Sequence, residues 1–143
     1  MNQRIVGLDF GLKRIGIAIS DPLMTFSVPL IKINRTKKID VDIDMILKSI
    51  ENQGSIKMFV IGLPLLLNRK ESPMSLLVRE FAKKLEEISE KPVAFIDERL
   101  TSKQADTLLR ETEMKRKKRD QVVDILSASL ILQSFLDLNC CNK

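Results

Sequence analysis

RIVGLDFGLKRIGIAIS, at residues 4–20, holds two β-rich runs separated by Gly11, Leu12 and Lys13. A connection this short, opening on a glycine, suits a hairpin, so 4–10 and 14–20 are expected to pair antiparallel. In the second run Ile15, Ile17 and Ile19 alternate with Gly16, Ala18 and Ser20, giving one bulky face and one small one. The first run is apolar from Ile5 onward except for Asp9, which stands near its end between Gly7 and Gly11. Burying an ion costs several kcal/mol unless something compensates it. Asp9 therefore needs a reason.

Outward from this hairpin the pattern changes character. Asp21-Pro22 marks a turn, and 25–33 (TFSVPLIKI) reads as a third strand, at an edge because Pro29 has no N–H for a ladder. Ile39, Ile43, Ile46, Leu47 and Ile50 recur at helical spacing over 39–53, with Gly54 placed to end the helix. MFVIG at 58–62 is a short continuous apolar run, as in a strand covered on both faces. An amphipathic helix is expected over 74–90 and a strand at 93–98 (VAFIDE). A further helix is expected from Thr101 or Ser102 to about 111, and a last one from about 119 to 137. The order βββαβαβαα, a meander followed by alternation, predicts an α/β protein with a mixed five-stranded sheet and helices on its faces. No repeat, low-complexity stretch or linker interrupts residues 1–143, so a single domain is expected.

Composition narrows the chemistry. There is no histidine, which excludes a His-based triad and His-ligated metal. The only cysteines, Cys140 and Cys141, are adjacent near the end, which suits a frayed tail better than a disulfide framework. The longest uncharged apolar run, 58–67, falls short of the about 20 residues that span a bilayer, and no secretory signal pattern precedes Asp9. A cytoplasmic protein with no membrane association is expected. With no Trp or Tyr, base stacking is left to six Phe, most of them in apolar runs. The net charge of +5 favours a polyanionic partner.

Three carboxylate positions fall on apolar elements. Asp9 ends the first strand, Asp97 and Glu98 end VAFI, and Asp124 lies in one helical row with Ala128, Ile131 and Phe135. Singly, each has a plainer explanation: a turn cap, partners for Arg99, an ion pair along a helix. Together they suggest a shared site, because ligands of open α/β sheets bind beyond the carboxyl ends of strands. Acids gathered there repel, so either one takes a proton or a divalent cation holds them. The basic run KRKKR at 115–119, just before the helix that carries Asp124, is placed to hold phosphates, Lys117 and Lys118 among them.

GLDFGLKRIGIAISDPL at 7–23, VIGLP at 60–64, DERLTS at 97–102 and KKRDQVVDILSASLILQSFLD at 117–137 resemble, in order, the signature segments of the YqgF (RuvX) family. That family is described as pre-16S rRNA nucleases or Holliday-junction-resolvase-like proteins with an RNase H-like fold. The resemblance implies a metal-dependent endonuclease using Mg²⁺ or Mn²⁺, with two ions held by Asp9, Glu98 and Asp124 as both metal ligands and catalytic residues. It also implies substrate contacts from Lys13, Arg14, Arg99 and Thr101, and precursor rRNA or branched DNA as partner; whether the chain is a monomer or a homodimer stays open. Adjacent strand residues face opposite ways, so only one of Asp97 and Glu98 should face the site, and the resemblance implies Glu98. The sequence departs from the family at Leu66–Arg69, where an Asn-Met-Asp/Asn-Gly-like loop is usual, and at Met24, where Gly is common. Two other readings remain. GLDFG also resembles the first phosphate loop of actin-like and sugar-kinase ATPases, although the further Gly-rich loops and second domain of those proteins are missing. A non-catalytic ribosome-assembly module with the same fold is the other.

Overall fold

The computed structural model describes residues 3–64, 72–97 and 116–141, with side chains of 126–138 in the last stretch. The hairpin forms as its sequence predicts. Strands β1 (Gln3–Phe10) and β2 (Arg14–Ser20) pair antiparallel, with Asp9 opposite Gly16 and Phe10 opposite Ile15. In the turn between them the Gly11 N–H donates to the Arg14 carbonyl at 2.9 Å. A Cβ at Gly11 would sit 2.9 Å from that same oxygen, so the turn requires glycine.

Strand β3 (Ser27–Asn34) follows antiparallel to β2, with an irregularity that brings Pro29 opposite Ala18. It is an edge strand, as Pro29 implied. Asp21 organises the connection before it, accepting the N–H groups of Thr25 at 2.7 Å and Phe26 at 2.8 Å. Those bonds, Phe26's foremost, hold its acid below the ordinary 3.8. In the same turn Met24 adopts a left-handed φ of 56°, a conformation that glycine takes up at less cost, and its side chain packs against the core layer that contains Ala18.

Helix α1 (Ile39–Ser49) stops earlier than the apolar spacing suggested, and a 3₁₀ turn at Glu51–Gln53 leads to Gly54, whose φ is 91°. Strand β4 (Ser55–Leu63) begins before its apolar run: Ser55 and Ile56 pair with β1, Lys57 is passed over at an irregularity, and the side chains of Ser55 and Lys57 stay in solvent. Helix α2 (Pro73–Ser89) starts from a reciprocal Ser72–Ser75 capping box, and strand β5 (Val93–Asp97) pairs parallel with β4. Helix α3 (Arg116–Cys141) is longer than expected at both ends. Residues Arg116–Arg119 of the basic run lie inside it instead of before it, and Cys140 and Cys141 continue it in place of a frayed tail. The helix expected from 101 or 102 to 111, and the atypical 66–69 segment, lie outside the described residues.

The sheet order is β3-β2-β1-β4-β5, with β1, β4 and β5 parallel and the first two hairpins antiparallel. Strand alternation then sorts the core into two layers. Val6, Leu8, Ile15, Ile17, Phe59 and Ile61 bury one face against α1 and α2, through Ile43, Ile46, Val78, Phe81 and Leu85. Ile5, Ala18 and Val60 bury the other against Ala128, Ile131, Leu132 and Leu136 of α3. Gly16, Ala18 and Ser20 form the small face of β2, and that small face is the one α3 approaches.

Candidate active site

Asp9 belongs to the α3 side of the sheet, in phase with Ile5 and Gly7, and is half-buried at the carboxyl end of β1. Its partner on β2 is Gly16. On the other side the β1–β4 register, Leu8 beside Ile61, brings Gly62 level with Asp9. Neighbouring strands stand about 4.8 Å apart, so a side chain at either position would crowd the carboxylate. Glycine on both flanks leaves the sheet beside Asp9 bare of side chains.

The placement of α3 follows from Gly7. A Cβ there would lie 2.6 Å from the Leu132 Cβ and 3.0 Å from the Ala128 carbonyl oxygen, so the helix rests directly on β1 backbone. Ser27 fixes its direction: its N–H donates to Gln133 Oε1 at 2.9 Å and its hydroxyl to the Ser129 carbonyl at 2.8 Å. Ser27 pairs with Ser20, whose hydroxyl accepts the Ile5 N–H at 2.8 Å. The later turns of α3 thus lie over the start of β1, and its earlier turns run toward the Asp9 end. Asp124 stands one helical turn before Ala128 on that approach. The backbones of Asp124, Lys117 and Lys118 are placed on α3; their side chains, like Glu98, Arg99 and Thr101 as whole residues, lie outside the described residues.

The pleat of β5 bears on the choice between Asp97 and Glu98. Val93 and Phe95 pack with the α1–α2 layer and Ile96 with the α3 layer. Asp97 is in step with Val93 and Phe95, on the face opposite Asp9. Lys13 is exposed in the β1–β2 turn, and Arg14, half-buried, shares Asp9's face because it alternates with Ile15 in step with Gly16. Asp9, Lys13 and Arg14 therefore gather at one rim of the sheet.

Two residues that the sequence reading passed over hold this rim together. The Arg35 Nη1 donates to the carbonyls of Gly11 at 3.2 Å and Leu12 at 3.4 Å, while its Nε meets Asp42 Oδ2 at 3.2 Å. Asp42 is fully buried and also accepts the Thr36 N–H at 2.7 Å. The guanidinium lies 4.4 Å from the centre of the Phe10 ring. The turn that follows Asp9 is thus tied to α1 by charge, hydrogen bond and ring. The signal was present: Asp42 falls in the apolar helical row of Ile39, Ile43 and Ile46, where a carboxylate needs a cation.

Topology and rim acid together define the class. The mixed sheet matches that of Thermus thermophilus RuvC, with a TM-score of 0.57 at 11% identity over 96% of each chain. RuvC from T. thermophilus in complex with a Holliday junction substrate gives 0.55 at 12% identity, again over 96% of each chain. The fold is RNase H-like. Within that class the chain belongs to the RuvX family, whose model, described as Holliday junction resolvase, matches residues 3–138. A protein of Protochlamydia amoebophila named "Putative pre-16S rRNA nuclease" is 42% identical, over 96% of this chain and 95% of its own length. One of the same name from Koribacter versatilis is 45% identical, over 96% of this chain and 88% of its own.

Proposed function

We propose that the chain is a cytoplasmic, divalent-metal-dependent endonuclease that hydrolyses phosphodiester bonds in precursor 16S rRNA. One observation carries this reading: Asp9 is a half-buried carboxylate at a strand end, flanked by glycine positions, with α3 seated on the sheet one step away. The name shared by the curated relatives supports RNA as the substrate. The family's description as a resolvase supports branched DNA as the second reading.

Carboxylate oxygens are the donors that Mg²⁺ and Mn²⁺ take, and the histidine-free chain offers no competing nitrogen set. Asp9, Glu98 and Asp124 would hold two ions, Glu98 being what remains of its pair once Asp97 falls out of phase with Asp9. Of the three, Asp9 alone has a described side chain, and among the described residues no cluster of three ligands occurs. Bound ions supply acidification of the attacking water and neutralisation of the leaving oxygen. The chain's own cations would do the positioning. Lys13 and Arg14 would grip the scissile phosphate at the rim through charge-assisted bonds, with Arg99 and Thr101 contributing beyond β5. Lys117 and Lys118 would hold flanking phosphates. Cleavage would leave a 5′-phosphate and a 3′-hydroxyl.

The test is incubation of the purified chain with matched precursor-rRNA and four-way-junction substrates, in Mg²⁺ and in Mn²⁺. Metal-dependent cleavage of the RNA, lost in Asp9→Asn, is the expected result. Cleavage of the junction alone would favour the second reading. Binding that persists in EDTA with no cleavage in either metal would make the chain a binding module instead.

A further inference from the structure

The row of the sheet that contains Asp9 continues past Gly16 to a residue that no motif marks. Gly16 pairs with Asp9 on one side and with Lys32 of β3 on the other. Lys32 is on Asp9's face, since the neighbouring Ile33 packs with the α1–α2 layer and pairs with Ile15 of that layer. It is half-buried, and among the described residues it has no carboxylate partner. Arg14 and Asn34, paired with each other, form the next row on the same face.

Distances follow from the sheet. Two strand spacings separate Asp9 and Lys32, roughly 10 Å between backbones. A four-carbon stem spans about half of that, and Gly16 puts no side chain of the sheet in the way. The ammonium can therefore stand over Gly16, beside whatever anion occupies the Asp9 rim. No described carboxylate forms an ion pair with Lys32, so its ammonium is available for a charge-assisted bond to a phosphate.

We infer that Lys32 is a phosphate-binding residue, which carries the nucleic-acid backbone from Asp9 across Gly16 to the edge strand β3. The inference rests on the nuclease reading and adds a lane to it: the strand being cut would cross the sheet row Asp9–Gly16–Lys32, with the phosphate next to the scissile one on Lys32. Such a contact fixes register and carries no sequence information.

The experiment is anisotropy of a labelled RNA duplex in EDTA, over a series of salt concentrations, so that binding is read without cleavage. Lys32→Gln should bind several-fold more weakly and flatten the dependence of log affinity on log salt by about one unit. Lys32→Arg should restore both. Lys83→Gln removes an equal charge from exposed α2, on the opposite side of the sheet, and should leave the slope unchanged. An unaltered slope in Lys32→Gln, or an equal loss in Lys83→Gln, overturns the role of Lys32 and leaves the nuclease reading standing. A wild-type chain that binds no RNA at any salt, and cleaves none in metal, overturns both.

Discussion

At the scale of single residues, Asp9 and Asp42 are both acids on apolar elements, the first half-buried at the rim and the second fully buried. Asp42 is fully buried, and the structure compensates it from within, through Arg35 and the Thr36 N–H. Removing one partner of a buried pair strands the other's charge, at about 3–5 kcal/mol. Asp42→Ala should therefore lower stability by about 3 kcal/mol or more in urea titrations. A loss below about 1 kcal/mol would show that the Gly11 and Leu12 carbonyls suffice for Arg35. Asp9 should behave in the opposite way. If it is grouped with Glu98 and Asp124 to hold metal, the free protein keeps like charges close together, and one charge fewer relieves them. Asp9→Asn should then melt at or above the wild-type temperature in EDTA. Mg²⁺ or Mn²⁺ should raise the melting temperature of wild type and move that of the variant much less, because a ligand specific to the native state stabilises it. A variant that is destabilised in EDTA and still responds to metal would make Asp9 a structural turn acid.

At the scale of elements, the sequence was most readable where one period dominated. The isoleucine–small alternation of 14–20 located β2 and foretold its two faces, and Pro29 located the edge. Ends were harder to read, for physical reasons. Ser55 and Ile56 enter β4 by backbone pairing and Lys57 at an irregularity, a stretch whose one apolar residue makes no run to read, and Ile50 kept the helical rhythm past the point where α1 gives way to a 3₁₀ turn. Of the rim, Asp9, Lys13 and Arg14 were visible from their motif, whereas Lys32 and Arg35 were not, because only the register brings them near. The basic run was misplaced for a related reason: charge masked a helix that holds Arg116–Arg119. Cations at the start of a helix oppose its dipole, at about 0.3–1 kcal/mol each when exposed at low salt, while phosphates are favoured there. Lys117→Ala with Lys118→Ala should accordingly leave the free protein as stable or slightly more so. The same variant should weaken nucleic-acid binding and flatten its salt slope by about one unit or more. Melting curves and a salt series on one preparation read both signs. Lower stability with an unchanged slope would make the run structural.

At the scale of the whole molecule, the candidate site depends on how α3 sits on the sheet. Asp9 is carried by β1 and Asp124 by α3, and the contact that sets their separation is Gly7 against Ala128 and Leu132. A methyl group at Gly7 would meet the Leu132 Cβ at 2.6 Å and the Ala128 carbonyl oxygen at 3.0 Å. Neither atom is the far end of a flexible side chain, so the helix itself has to move. Overpacking of this kind costs about 1–3 kcal/mol, and a shift of about 1 Å at a catalytic group can cost about a hundredfold in rate. Gly7→Ala should therefore lose nuclease turnover out of proportion to its loss of stability, at a temperature where the variant is still fully folded. Gly54→Ala supplies the comparison. Gly54 has a φ of 91° and open space where a Cβ would be, so alanine there incurs backbone strain of about 1–3 kcal/mol without pressing on α3. The two variants should unfold at similar urea concentrations, yet only Gly7→Ala should cleave slowly. Equal turnover in both would mean that the seating of α3 does not set the geometry at Asp9, and the acids would then have to be aligned by some other contact.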